Sequence, residues 1–197
     1  MISEAKLLNY ISTLSENVQV DNVKILSTQR KGNGELLFAT LEIKSDDVLP
    51  FVFVKGDGVS IVPIITAQNA KYFLCVEQRR IADGKIHCEF PAGMMDTDCD
   101  PLAVVIKELE EETGIKIKRE DVETLNDGKP LFTSPGACDE KIYFFKTEIS
   151  LTANEFSALQ NKIIDNGDEK IIVKLYTEEE LQAKTVSCIT FAALNML

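Results

Sequence analysis

The sequence is short of several things that chemistry often depends on. It has one histidine, His87, in 197 residues. Histidine metal clusters are therefore excluded, and serine–histidine or cysteine–histidine catalysis has a single base to draw on. Tryptophan is absent. The five cysteines, at 75, 88, 99, 138 and 188, are odd in number and form no C-x-x-C pair. A disulfide framework or zinc site is not expected, and reduced thiols in a cytoplasmic protein are. No apolar run approaches the ~18 residues of a membrane span. The opening stretch MISEAKLLNYISTLSENV, with Glu4 early in it, does not read as a signal peptide. Cations are also scarce: 21 Lys and Arg face 32 Asp and Glu, a net charge of −11. Such a chain repels a nucleic-acid backbone, yet a phosphate-bearing small molecule stays open to it where a divalent cation inverts the local field. Neither G-x-x-x-x-G-K-[ST] nor G-x-G-x-x-G occurs, so P-loop and dinucleotide folds lack support.

What is present reads as mixed α and β, with mostly β in the first half. Residues 3–15 fit a short amphipathic helix with Leu7, Leu8, Ile11 and Leu14 on one stripe and Ser3 as its cap. Runs rich in Val, Ile, Phe and Leu predict strands at 22–30, 35–44, 50–55, 59–67 and 71–79. Gly32-Asn33-Gly34, Gly56-Asp57-Gly58 and Gln68-Asn69-Ala70 supply turns between them. Further strands are expected near 122–133, 140–149 and 169–176, with helices near 153–163, 178–183 and 185–197. Thr177 and Glu180 are spaced as a capping box for the second of these helices.

The clearest helix spans 100–113. Asp100 suits its N-cap, Pro101 its first position and Gly114 a left-handed stop. Leu102, Val105, Ile106 and Leu109 make an apolar stripe. At 100° per residue, Glu108 and Glu112 share one flank of that stripe and Glu111 lies between that flank and the outward face, so all three are expected to stay out of the core. A solvated acidic face is the ordinary reading of such a run. Its place argues otherwise, because Glu110, Glu111 and Glu112 sit in the last turn, against the helix dipole, and like charges at i, i+4 repel. A cation to place there resolves both costs, and oxygen-only ligands suit Mg²⁺ or Mn²⁺.

Gly93, Cys99 and the run Lys107-Glu108-Leu109-Glu110-Glu111-Glu112-Thr113-Gly114-Ile115 resemble the Nudix box, G-x5-E-x7-R-E-U-x-E-E-x-G-U, with U a bulky aliphatic. All spacings hold. Two positions depart: Cys99 stands for the first Glu and Lys107 for the Arg. Neighbouring motifs resemble those of ADP-ribose and other ADP-sugar diphosphatases: Glu89-Phe90-Pro91-Ala92-Gly93, the loop Ser134-Pro135-Gly136-Ala137-Cys138-Asp139-Glu140, and Glu77-Gln78-Arg79-Arg80. The tail, Gly167-Asp168-Glu169 with Glu179-Glu180-Leu181, is similar to that of the plant-type ADP-sugar diphosphatases. The resemblance runs from about residue 50 to 197.

It implies an α+β protein: an α/β/α sandwich with a mixed central sheet over 51–197, and a small N-terminal helix and β lobe over 1–50 that dimerises. The implied reaction is Mg²⁺-dependent hydrolysis of the pyrophosphate bond of a nucleoside diphosphate sugar, ADP-ribose or ADP-glucose first. The alternatives are UDP- or GDP-sugars, or a catalytically silent module that binds a nucleotide sugar as a sensor, a reading that Cys99 and Lys107 raise and that intact Glu108, Glu111, Glu112 and Glu140 lower. The resemblance makes Glu108, Glu112 and the Ala92 carbonyl metal ligands, with Glu111 a further one. Pro91 and Gly93 are expected to aim that carbonyl by fixing and freeing the turn. Glu140 is the expected general base, with Glu111 the other carboxylate given a catalytic part. Arg80, or Arg79 on the opposite strand face, would reach the diphosphate, and Glu89 and Gly93 would help hold substrate. Tyr10, Phe38, Phe51 and Phe53 are the aromatics that could stack on a base. His87 reads as structural and Cys138 as a bystander. A homodimer is implied as well.

Overall fold

The computed structural model of the chain describes residues 4–45, 48–95, 100–165 and 170–197. In chain order the elements are α1 (Ala5–Ser15), β1 (Asn22–Arg30), β2 (Leu36–Lys44), β3 (Phe51–Val54), β4 (Gly58–Ala67), β5 (Ala70–Arg79), β6 (Ile86–Glu89), β7 (Ala92–Met94), α2 (Pro101–Thr113), β8 (Val122–Thr124), β9 (Leu131–Phe132), β10 (Lys141–Ser150), α3 (Ala153–Leu159), β11 (Ile163–Asp165), β12 (Lys170–Tyr176), α4 (Glu178–Lys184) and α5 (Cys188–Leu194). They fall into two compact units.

The first unit is built from the described residues within Met1–Asp57 and Leu131–Lys141, together with Met95. Its sheet runs β1-β2-β3, antiparallel throughout. One face of β2 buries Leu36, Ala39, Leu41 and Ile43 with Val54 of β3, and Leu7 of α1 closes that core. Tyr10 and Leu14 pack beside Leu7, whereas Leu8 is 49% exposed. The helix therefore turns a Leu7–Tyr10–Leu14 stripe inward, at i, i+3, i+7, and the expected place of Leu8 on that stripe is corrected. Glu4 stands at the N-cap without a side-chain cap bond, and Ser3, the expected cap, lies outside the described residues.

The second unit is the larger one, a mixed sheet in the order β11-β12-β5-β4-β10-β8 with helices on both faces. β4 pairs β10 in parallel and its other partners antiparallel. This strand is buried at nine of ten positions, as a central strand covered on both faces must be. Alternation sends Val62 and Ile64 toward Leu181, Ala193 and Leu194 of α4 and α5. It sends Ile65 and Ala67 to the opposite face, toward Phe156 and Leu159 of α3. Gln68 and Asn69 take positive φ, 52° and 60°, the turn that returns β4 tightly into β5.

Several expected elements are shorter than the sequence suggested. The run near 122–133 is broken where Asn126 and Asp127 adopt φ of 52° and 53°, leaving β8 and β9 as fragments. The helix expected over 153–163 ends at Leu159; Asn161 turns left-handed at φ 68°, and Ile163–Asp165 becomes an edge strand on β12. The final helix starts only at Cys188, capped by Ser187. The Thr177–Glu180 capping box is present at α4. β6 and β7, of four and three residues, are too short to show a period in the sequence.

Helix α2 begins and ends as its sequence dictates. Asp100 accepts from the Leu102 N–H at 3.1 Å and pairs with Arg119 at 2.5 Å, and these bonds, Arg119 first, hold its carboxyl below the ordinary carboxylate range. Gly114 closes the helix at φ +77°, and the Lys162 ammonium donates to the Thr113 carbonyl at 3.1 Å. A cation there offsets the dipole of a helix whose last turn is acidic. Val104 is buried while Leu102 and Ile106 are only half-buried, so the inward stripe is rotated from the expected one toward the Val104–Glu108–Glu112 line.

Candidate functional site

In the second unit, helix α2 packs on β4 and β7. Its line of residues at i, i+4, i+8 then runs Val104, Glu108, Glu112 along the strand. Gly93 sits in β7 opposite Val59. A Cβ at position 93 would collide with Cγ, Cδ and Oε1 of Glu108. The glycine matters for its missing side chain. Its φ is not in the left-handed region, which corrects the expectation that it frees a turn.

Glu112 is buried at 6% exposure, a correction to the expectation that the three glutamates stay out of the core. Its Oε2 accepts from the Ala92 N–H at 3.1 Å. The register explains why that N–H is available. The Pro91 carbonyl accepts from the Ile61 N–H at 3.0 Å, so the next pair, Ser60–Ala92, is a non-hydrogen-bonded one. Both backbone groups of Ala92 then point away from β4, and its carbonyl shares the edge on which its N–H meets Glu112.

Two ties that the sequence did not reveal hold this segment in place. The Thr185 hydroxyl donates to the Cys88 carbonyl at 3.1 Å, and the Phe90 N–H donates to the Thr190 hydroxyl at 3.2 Å. Phe90 is fully buried between these ties, its ring 6.3 Å from that of Phe73.

The oxygen-only set of Glu108, Glu112 and the Ala92 carbonyl is of the chemistry that suits a hard divalent cation. Among the described residues no three His, Cys, Asp or Glu side chains form a ready-made metal cluster. Glu111 does not join the other two: half exposed, it pairs with Lys107 at 3.3 Å on the outer face. Cys99 lies outside the described residues, as do Gly167, Asp168 and Glu169.

Arg80 and Glu89 are brought together across the β5–β6 hairpin, Nε to Oε2 at 2.6 Å. With its amide oxygen turned toward Arg80, the buried Gln78 accepts from both terminal nitrogens, at 3.2 and 2.9 Å. Arg79 faces elsewhere and donates to the Gly84 carbonyl in the hairpin turn. His87 meets Asp83 at 3.0 Å, in keeping with a structural part.

Glu140 belongs to the first unit and is 8% exposed. Its Oε1 accepts from the Lys55 ammonium and its Oε2 from the Thr133 hydroxyl at 2.9 Å. Tyr10 and Phe51 line an apolar recess with Pro135, Gly136 and Ala137. Phe38 and Phe53 are instead spent on each other, with ring centroids 5.2 Å apart.

The sequence matches the family model for the NUDIX domain over residues 54–187. It is 33% identical over 155 residues to Nudix hydrolase 14, chloroplastic, of Arabidopsis thaliana, covering 74% of this chain and 50% of that protein. It is 31% identical over 127 residues to the ADP-ribose pyrophosphatase of Bacillus subtilis (strain 168), covering 64% of this chain and 62% of the relative. The chain thus spans about half to three-fifths of the length of these relatives. A solved structure described as an ADP compounds hydrolase superposes with a TM-score of 0.64 over 91% of both chains, at 16% identity, and so shares the fold. Among the described residues no helix is long and apolar enough to cross a membrane.

The contact between Gly93 and Glu108 sets a stability test. Gly93→Ala is expected to lower the unfolding free energy by about 1–3 kcal/mol, the cost of overpacking. Adding Glu108→Ala, which removes the colliding atoms, should return most of that loss in denaturant titrations. Additive losses in the double variant would contradict the contact.

Proposed function

The chain belongs to the Nudix hydrolase family, and on that premise we propose that it hydrolyses the pyrophosphate bond of a nucleoside diphosphate sugar. Its products are a nucleoside monophosphate and a sugar 1-phosphate. The preferred substrate is an ADP-linked sugar, ADP-ribose or ADP-glucose; the name of the Bacillus subtilis relative supports the adenine base. The observation that carries the reading is the pair Glu108 and Glu112 laid against Gly93 and Ala92.

Glu108, Glu112 and the Ala92 carbonyl would hold Mg²⁺, with Mn²⁺ the alternative. A bound divalent cation supplies neutralisation of the diphosphate and activation of water. The protein's own contribution is to gather anionic oxygens that would otherwise repel one another. Arg80 carries the charge that answers a diphosphate, and Glu89 with Gln78 fixes the plane of its guanidinium. Glu140 orients the attacking water and accepts its proton. Glu111 remains a further ligand or second catalytic carboxylate only on release from Lys107. As the resemblance implies, the protein acts as a homodimer. The exposed Phe51 and Phe53 of β3 and the almost wholly exposed β1 support that assembly.

A panel of nucleotide sugars with Mg²⁺, scored for released monophosphate, should show ADP-sugars turned over and EDTA abolishing turnover. Glu112→Gln should lower kcat/KM by at least ~100-fold, about 2.7 kcal/mol of transition-state stabilisation. Glu140→Gln should lower kcat with KM little changed. Full turnover in EDTA would remove the metal from the account. Light scattering of active enzyme at micromolar concentration should report the dimer mass, and a monomer mass would overturn the assembly.

A further inference from the structure

The first unit contains a clasp that joins the chain around Lys55 to the loop ending at Glu140. Residues 53–56 lie alongside 137–140. The Phe53 N–H donates to the Ala137 carbonyl at 2.8 Å, and Phe53 bridges Cys138 in parallel fashion. One oxygen of Asp139 accepts from two successive backbone N–H groups, Lys55 at 2.7 Å and Gly56 at 3.1 Å. Beyond that anchor the Lys55 side chain turns onto Oε1 of Glu140, while Thr133 takes Oε2.

We propose that Lys55 is a positioning residue for Glu140: it fixes the direction of the carboxylate and balances its charge, with Asp139 fixing the backbone from which both side chains project. The proposal rests on the reading of Glu140 as the residue that acts on water. Three physical points carry it. A carboxylate that is 8% exposed is costly unless paired, and Lys55 is the cation paired with it. An ionised carboxylate has about four acceptor sites, so one bond from Lys55 and one from Thr133 leave a lone pair on each oxygen for a water. Both bonds also fix the carboxylate plane, so that the remaining lone pairs have one direction rather than a fan of them. The sequence separation of 85 between Lys55 and Glu140 means that the fold brings them together.

The test uses the full chain with Mg²⁺ and the ADP-sugar that the wild-type protein turns over. Lys55→Met should lower kcat by about 10- to 100-fold with KM nearly unchanged, and Lys55→Arg, which keeps the charge and can still reach a carboxylate, should recover most of the rate. Asp139→Asn should show the same split, more weakly. Because Lys55→Met leaves a buried anion unbalanced, Lys55→Met/Glu140→Gln, which removes both charges, supplies a folded control. Its kcat should match that of Glu140→Gln alone. A Lys55→Met enzyme that is folded and keeps its kcat, or one whose loss appears wholly in KM, overturns the positioning role. If instead Glu140→Gln itself keeps normal kcat, the reading of Glu140 fails first and the proposal falls with it, an outcome distinct from the other two.

Discussion

The candidate site depends on one steric fact: nothing stands on the Cα of residue 93. That gap lets Glu108 lie flat against β7, and with α2 seated so closely, the residue one turn later reaches the Ala92 N–H. A methyl group at 93 would push the Glu108 side chain off the strand, and its carboxylate would move with it. The helix tolerates the arrangement because its ends are well made. Asp100 caps one, Gly114 closes the other, and Lys162 puts a cation where three acidic side chains of the last turn oppose the dipole.

A chain with a net charge of −11 has few cations to spare, and three of them are paired with acids of the candidate site. Arg80 is held by Glu89, Lys55 by Glu140 and Lys107 by Glu111. These pairs differ in weight. Lys107 and Glu111 are both about half exposed or more, so water and salt screen them and the pair contributes little. Lys55 and Glu140 are shielded, and their separation would leave an uncompensated charge. In the same unit, burial pushes the Asp57 carboxyl up from its ordinary value even with Lys141 at 3.7 Å.

Much of this was legible in the sequence. The strands at 22–30, 35–44 and 59–67 were found within a residue or so of their ends, because alternating or continuous apolar runs were broken by glycines and by Gln68-Asn69. The cap, stop and spacing of α2 were equally plain. The sequence offers the candidate site as a list of residues but not as a geometry. A helical wheel places Glu112 on a flank, and only the seating of α2 on β7 shows that the flank is buried. The sequence suggests Gly93 for its flexibility, whereas its use lies in lacking a Cβ. Lys55, Thr185 and Thr190 carry no local signal at all, since each acts on a residue brought near by the fold.

The most direct test of the central claim is metal binding itself, free of turnover. Titration of Mn²⁺ into the protein, followed by electron paramagnetic resonance of the free ion, should show a bound ion that EDTA removes. Glu112→Gln and Gly93→Ala should each weaken that binding, the first by removing an anionic oxygen and the second by displacing Glu108. Binding that is unchanged in both variants would mean that the ion is held elsewhere, and that the packing of α2 on β7 does not build the site.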